Sequence, residues 1–323
     1  MASVWVRAVL TVVLLLLGGH YSSSADSWCY NEAHCGPNTW ISSGHCGGKR
    51  QSPINIISRE SILNSKLGAV NLTGYEDSKK LLVIKNTGRT VDIELEDGLS
   101  LSGHGLPSLY TAKSFHLHWG DGVSKPGSEH TIDSKRYSME LHIVHTKNNM
   151  NISDAVKDPE GIAVLGFFLE GSEAAKSKGK AAEAWEEFIK NLDKVPEKDQ
   201  DKDLRSTVSL LDLLGTTNLT TYYRYRGSLT TPQCNEVVIW TLFTDPILVP
   251  PKVVEAFPSE LRSTDSSSGP PIKNNFRPQQ KLGDRKVERS AGLRSSSPSS
   301  LISQSATLLL FLSITSLASS LLF

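Results

Sequence analysis

Nine histidines occur in the 323-residue sequence, and three of them sit where a metal ion could be held. In Phe115-His116-Leu117-His118-Trp119 two histidines lie two apart on a run that reads as a β-strand. Side chains alternate across a strand, so His116 and His118 share one face with α-carbons about 7 Å apart. Phe115, Leu117 and Trp119 point the other way, into a core. A second run, Glu140-Leu141-His142-Ile143-Val144-His145, puts Glu140 and His142 on one face and His145 on the opposite one. If the two strands are neighbours, His142 completes a cone of imidazole nitrogens with His116 and His118. Three neutral imidazoles leave one tetrahedral position of Zn²⁺ open to water, which is a catalytic rather than a structural arrangement. The cation then makes hydroxide available near neutral pH. A His-x-His pair alone is more often a hydrogen-bonded pair than a metal site, so the surrounding sequence has to carry the weight. His145 is expected to be a buried structural histidine, and His34, His45 and His104 have no metal-like partners in sequence.

Strands that converge in this way need a sheet. Leu81–Ile84 and Val91–Leu95 flank Asn86-Thr87-Gly88-Arg89 and read as a hairpin with a Gly turn. Ser114–Trp119, Met139–His145, Ile162–Leu169 and Val237–Phe243 are further strands, several bounded by Gly161, Gly171, Pro232 or Pro246. Helix is sparse: Ala184, Trp185, Phe188, Ile189 and Leu192 fall at helical spacing before Pro196. A short helix over Val208–Leu214 stops at Gly215, and Ser259–Asn275 reads as a surface loop. No internal repeat or long linker is visible. The expected fold class is mixed α/β but mainly β: a single domain around a large, mostly antiparallel central sheet with a few short surface helices.

The two ends read as addresses. Residues 1–25 carry one cation, Arg7, then an apolar run from Ala8 to Leu17, with Ser23 and Ala25 placed as a cleavage site. That is a secretory signal; the run is too short to span a bilayer as an anchor. At the other end Ser290-Ala291-Gly292 is followed by a Ser-rich spacer and an apolar tail over 306–323. Small triplet, spacer and terminal tail match a glycosylphosphatidylinositol (GPI) signal, with Ser290 carrying the lipid and Ser295 to Ser297 as a weaker alternative. A single-pass helix is the rival, but no Lys or Arg follows the tail to hold it on the cytoplasmic side. The expected division is therefore a leader over 1–25, a catalytic domain over 26–285, an anchor spacer over 286–305 and a removed tail over 306–323.

Trimming both ends removes Arg7 and Arg294, leaving 32 cations against 34 anions. A near-neutral chain of this kind lacks the basic excess of a nucleic-acid binder. With 38% hydrophobic and 21% charged residues it is also no disordered polymer. Cys29, Cys35, Cys46 and Cys234 form an even set in an oxidising compartment, with three pairings open. Asn71, Asn151 and Asn218 each begin a sequon and are candidate glycosylation sites.

Five stretches raise the histidine cluster above chance: Gln51-Ser52-Pro53-Ile54-Asn55-Ile56, Phe115 to Gly120, Gly127-Ser128-Glu129-His130-Thr131, Glu140 to His145, and Gly227-Ser228-Leu229-Thr230-Thr231-Pro232. In this order they resemble the α-class carbonic anhydrases across nearly all of 28–285. The cysteines, leader and tail are similar to the GPI-linked extracellular subgroup, isozymes four and fifteen. The resemblance implies reversible hydration of carbon dioxide to bicarbonate and a proton by zinc-hydroxide attack, with one zinc on His116, His118 and His142. It implies that Thr230 orients the hydroxide and donates to Glu129. Val144, Val164, Leu229, Val238 and Trp240 would line the carbon dioxide site and Thr231 would touch bicarbonate. Glu140 would hold the other ring nitrogen of His142, and the disulfides would be Cys29–Cys35 and Cys46–Cys234.

Two positions depart from the family pattern. Arg89 stands where fast members have a proton-ferrying histidine, and arginine stays protonated at any relevant pH. Ser114 stands where the first ligand usually has a Gln partner, so support for His116 must come through water or another group. The expected location is the extracellular face of the plasma membrane, as a monomer held by the lipid. Functional coupling to bicarbonate or proton transporters would follow from that place. Two other functions compete: a binding ectodomain without activity, which the intact ligand set argues against, and a zinc esterase, for which no separate pocket is evident.

Overall fold

The computed structural model describes residues 28–177, 179–204 and 207–293; the leader, the hydrophobic tail and Ser295 to Ser297 lie outside the described residues. The described chain is built on a 13-stranded sheet. From one side, strands Asp201–Asp203, Leu81–Asn86, Val91–Leu95, Tyr110–Trp119, Met139–Lys147 and Ile162–Gly171 pair in that order, all antiparallel. Val238–Phe243 joins Ile162–Gly171 in parallel, and Tyr222–Gly227, Glu288–Arg289 and Ile62–Leu63 continue the sheet.

Period-2 alternation sends side chains to two cores. On one face Phe115, Leu117, Trp119, Leu141 and Ile143 join the larger core, covered by helices Lys180–Phe188, Leu210–Leu214 and Pro251–Glu260. Trp185 and Phe188 are buried on the first of these helices, and the Trp185 indole donates to Leu213 O at 2.9 Å. The expected helix thus ends as α-helix at Phe188 and continues as a tighter 3-10 segment over Ile189–Lys194. Leu210–Leu214 is capped by a reciprocal Ser209–Asp212 box and stops at Gly215, whose φ is +62°. The other face carries a smaller core around Val164, Tyr225, Val238 and Trp240.

Four features depart from the sequence reading. Tyr222–Gly227 is a strand and Pro251–Glu260 a helix, neither evident from the sequence pattern. The supposed surface loop over Ser259–Asn275 begins in that helix and buries Leu261, Ile272 and Asn275. Residues 286–293, expected to begin a stalk, belong to the folded domain: Val287 is buried, and Glu288–Arg289 pairs with Tyr223 and Arg224.

His145 lies on the large-core face, fully buried, with Nε2 2.5 Å from the Tyr75 hydroxyl and Nδ1 3.2 Å from Ala163 O. Burial lowers its pKa from 6.5 to about 4. Since the unfolded chain takes up this proton first as pH falls, stability is lost from about pH 6.5 down to about pH 4. Its share is on the order of 3 kcal/mol. Denaturant titrations across that window should show the acid limb flattened in His145→Gln; an unaltered limb would mean that other groups set it.

Candidate metal centre

Strands Tyr110–Trp119 and Met139–Lys147 are antiparallel neighbours, with His116 directly opposite His142 and His118 opposite Glu140. Register and alternation therefore bring His116, His118 and His142 to one point, where one nitrogen of each lies within 4.8 Å of the others. His118 and His142 are buried and His116 is half-buried.

The second nitrogens decide which lone pairs face inward. His118 Nδ1 lies 2.8 Å from Asn275 O, which can only accept, so Nδ1 carries the hydrogen and Nε2 is bare. His142 Nε2 lies 2.7 Å from Glu140 Oε1, so it is the donor and Nδ1 is bare. Those two bare nitrogens stand 3.1 Å apart. Two lone pairs facing each other repel unless a cation lies between their directions. Burial, reinforced by the neighbouring rings, lowers His116 well below its ordinary value and His118 to about 3. His116 and His118 are thereby held neutral, the form that ligates a metal.

His116 shows how Ser114 is accommodated. Asp92, its cross-strand partner, sits with Oδ1 3.9 Å from His116 Nδ1. Burial pushes Asp92 up to about 6 against the pull of the Ser114 hydroxyl. Ser114 thus contacts Asp92, a residue the sequence reading did not single out.

Glu140 holds two histidines. Besides His142 it accepts from His130 Nδ1 at 2.7 Å through Oε1 and from the His130 backbone N–H at 2.7 Å through Oε2. Burial alone would raise its pKa, yet the His130 and His142 rings hold it well below the usual carboxylate range. His130 Nε2 continues to the Tyr225 hydroxyl at 2.6 Å. His130, Glu140 and His142 also cluster at metal-like distances, but they already satisfy one another. Glu32, His34 and Cys35 lie close as well, with the Cys35 sulfur committed to a disulfide.

Glu129 is fully buried with Oε2 3.5 Å from His118 Nε2, while Oε1 accepts from the Arg277 N–H at 2.7 Å. Burial pushes its carboxyl up to about 7, opposed by His142, the Arg277 N–H and the Thr230 hydroxyl. Oε2 makes no well-aligned hydrogen bond among the described residues, so the Thr230 hydroxyl approaches without full alignment.

Val164, Val238 and Trp240 are buried in one apolar cluster, with Val144 and Leu229 packed against it. The Trp240 ring centroid is 4.8 Å from that of His142, which sets this wall beside the centre. A cavity of about 250 Å³ opens on His116 and His118 and is lined also by Thr231, Arg89, Trp28 and Tyr30. Arg89 is fixed there: Nε donates to Trp28 O at 2.8 Å and the guanidinium lies 4.2 Å from the Trp28 ring centroid. The disulfides are Cys29–Cys35 and Cys46–Cys234. Asn275, Arg277 and His130 were missed from sequence. Only His130 had a signal, its place in the Gly127–Thr131 motif.

Comparison with known proteins places this geometry in context. A profile of the eukaryotic-type carbonic anhydrases matches residues 35–291. The chain is 36% identical to carbonic anhydrase 4 of Oryctolagus cuniculus, over 87% of this chain and 90% of that one. It is 38% identical to carbonic anhydrase 4 of Rattus norvegicus over the same shares. Carbonic anhydrase 15 of Mus musculus is 33% identical over 90% of this chain and 92% of its own length.

Proposed function

The chain belongs to the eukaryotic-type carbonic anhydrase family, lyases of carbon dioxide, and on that premise we propose that His116, His118 and His142 hold one zinc ion for reversible hydration at the outer face of the plasma membrane. The observation that carries the zinc reading is the pair of bare nitrogens 3.1 Å apart on His118 and His142, each fixed by an acceptor on its other ring nitrogen. Bound there, zinc would supply a Lewis acid that makes hydroxide available near neutral pH, as in carbonic anhydrases generally.

The protein's own groups do the rest. Asn275 O and Glu140 aim two of the three imidazoles. Thr230, whose hydroxyl approaches Glu129, would donate to that carboxylate and so leave its own oxygen free to accept from the nucleophile and fix the direction of attack. The wall of Val144, Val164, Leu229, Val238 and Trp240 offers carbon dioxide an apolar surface without hydrogen-bond competition. Thr231, which lines the cavity beside His116 and His118, would meet the bicarbonate product. Stopped-flow hydration of carbon dioxide by zinc-loaded protein, abolished by a chelator and restored by zinc, is the expected outcome. Activity that survives complete metal removal would refute the reading.

Arg89 cannot relay a proton, being permanently charged and bound along Trp28. Proton export then limits turnover, so the maximal rate should climb with the concentration of an imidazole-type buffer. Arg89→His should raise the rate in poorly buffered solution by roughly tenfold. A rate indifferent to buffer in the wild type would contradict this.

The lipid anchor is best supported downstream of its expected site. Ser290 is fully buried; its hydroxyl accepts from the Tyr222 N–H at 3.0 Å and donates to Thr220 O at 2.7 Å. Ala291 N–H is bonded to Leu67 O at 3.1 Å. Cutting after Ser290 would strip a segment that packs on the domain, which favours Ser295 to Ser297. No helix among the described residues is long and apolar enough to cross a membrane. Asn71, Asn151 and Asn218 are all exposed, as glycosylation requires. Release from cells by a phosphatidylinositol-specific lipase tests the anchor, and retention after treatment would point to a spanning tail.

A further inference from the structure

A second cavity, of about 440 Å³, lies away from the metal centre and is lined by Arg50, Arg224, Arg226, Arg285, Lys286 and Glu288 among others. Tyr225 lines it as well, its ring centroid 5.6 Å from the Arg285 guanidinium. Tyr225 points toward His130, so its neighbours Arg224 and Arg226 point to the opposite face of the sheet.

Five cations against one lining carboxylate leave a positive balance that two ion pairs offset only in part. Arg226 pairs with Glu160, and Arg50 Nε lies 3.8 Å from Glu236. Glu288 accepts from Asn64 Nδ2 at 3.1 Å. Arg285 spends its nitrogens on the carbonyls of Leu282, Arg226 and Lys281, which satisfy hydrogen bonds but not charge.

Arg224 is the most demanding member. It is 4% exposed, yet Nε meets only the neutral Thr241 hydroxyl at 3.0 Å and Nη1 only His104 O at 3.5 Å. Nη2 is buried with no hydrogen-bond acceptor among the described residues. Glu288 stands opposite Arg224 across the strand pair and the Tyr222 ring lies 5.4 Å from its guanidinium, but neither supplies an acceptor for Nη2. An unsatisfied donor on a buried cation is costly and calls for an explanation such as a bound ion. Gly105 lines the cavity at φ +78°, and a Cβ there would stand 2.5 Å from Leu67 Cδ2 and 3.1 Å from Arg224 Nη1.

We propose that this cavity is a binding site for a phosphate oxyanion, seated on Arg285, Lys286 and Arg50 over the buried charge of Arg224. Planar guanidinium forks match the oxygen spacing of phosphate, and lysine adds a mobile point charge. Two sources share that chemistry, a phospholipid headgroup and free phosphate. The lipid source rests on the proposed anchorage, since Lys286 and Glu288 lie within the last eight described residues.

The test uses the full-length chain, purified in detergent and loaded with zinc, titrated separately with inorganic phosphate and with glycerol phosphate by isothermal calorimetry. Saturable binding is expected, weakened about tenfold in Arg224→Lys and in the surface pair Arg285→Gln with Lys286→Gln. The surface pair should keep wild-type carbon dioxide hydration, which separates loss of this site from misfolding and from failure of the zinc reading. Tighter binding of glycerol phosphate would assign the lipid source, and equal or weaker binding the free anion. No saturable binding, or binding that both variants leave unchanged, as phosphate on the metal would give, overturns the proposal.

Discussion

Replacing His118 with alanine is expected to lower carbon dioxide hydration by roughly a thousandfold or more, because a two-nitrogen site no longer holds zinc in its acidifying geometry. His118 is the most constrained of the three proposed ligands. Its Nδ1 is pinned to Asn275 O and its Nε2 faces both His142 Nδ1 and Glu129 Oε2. The next residue is held by the same asparagine, the Trp119 N–H being bonded to Asn275 Oδ1 at 2.7 Å. Zinc content and stopped-flow rates measured on the same preparation should fall together, with thermal denaturation confirming that the domain is folded. A contrasting variant, Glu140→Gln, keeps the ligand but weakens its orientation and should cost about tenfold to a hundredfold in zinc affinity. If His118→Ala retained activity within tenfold of the wild type, the reaction would have to occur elsewhere.

Removing the Cys46–Cys234 bridge should destabilise the domain by up to about 5 kcal/mol in the chain-entropy model, since it closes a separation of 188 residues. The loss should not stop at stability. Cys234 N–H donates to Thr231 O at 2.8 Å, and Leu229 N–H donates to Asn235 O at 3.0 Å, so the bridge steadies the segment that carries Thr230 and Thr231. Its two ends are tied into the same network. Arg277 Nη2 donates to Cys46 O at 3.1 Å and Gln51 Nε2 to Cys234 O at 3.2 Å, while the Arg277 N–H holds Glu129. A Cys46→Ala, Cys234→Ala double variant should therefore unfold at much lower denaturant concentration and lose turnover more than substrate binding. Unchanged midpoints would show that the bridge is dispensable to the fold.

The histidine cluster was legible because alternation is a local rule: two residues apart on a strand means the same face, whatever the strand pairs with. The same rule put His145 on the opposite face, where it is buried against Tyr75. What alternation could not supply was the long-range pairing that sets Asp92 opposite His116, or the return of the chain that brings Asn275 and Arg277 back to the centre. Nothing local marks an asparagine whose role is to present its backbone carbonyl. Tyr222–Gly227 escaped notice because Arg224 and Arg226 make it look solvated, although Arg224 is buried. Pro250 and Pro251 obscured the helix that follows, although proline is well suited to a first helical turn. Ser290 fitted the small-residue rule for an anchor site, but the rule says nothing of the hydrogen bonds to Tyr222 and Thr220 that hold it inside the fold.

The central claim is most directly tested by a crystal structure of purified, active protein, with diffraction recorded on both sides of the zinc absorption edge. A single anomalous peak is predicted at bonding distance from His118 Nε2, His142 Nδ1 and the inward nitrogen of His116, with a fourth position not filled by protein. No peak at that point in fully active crystals, or a peak that one of these rings does not touch, would contradict the account.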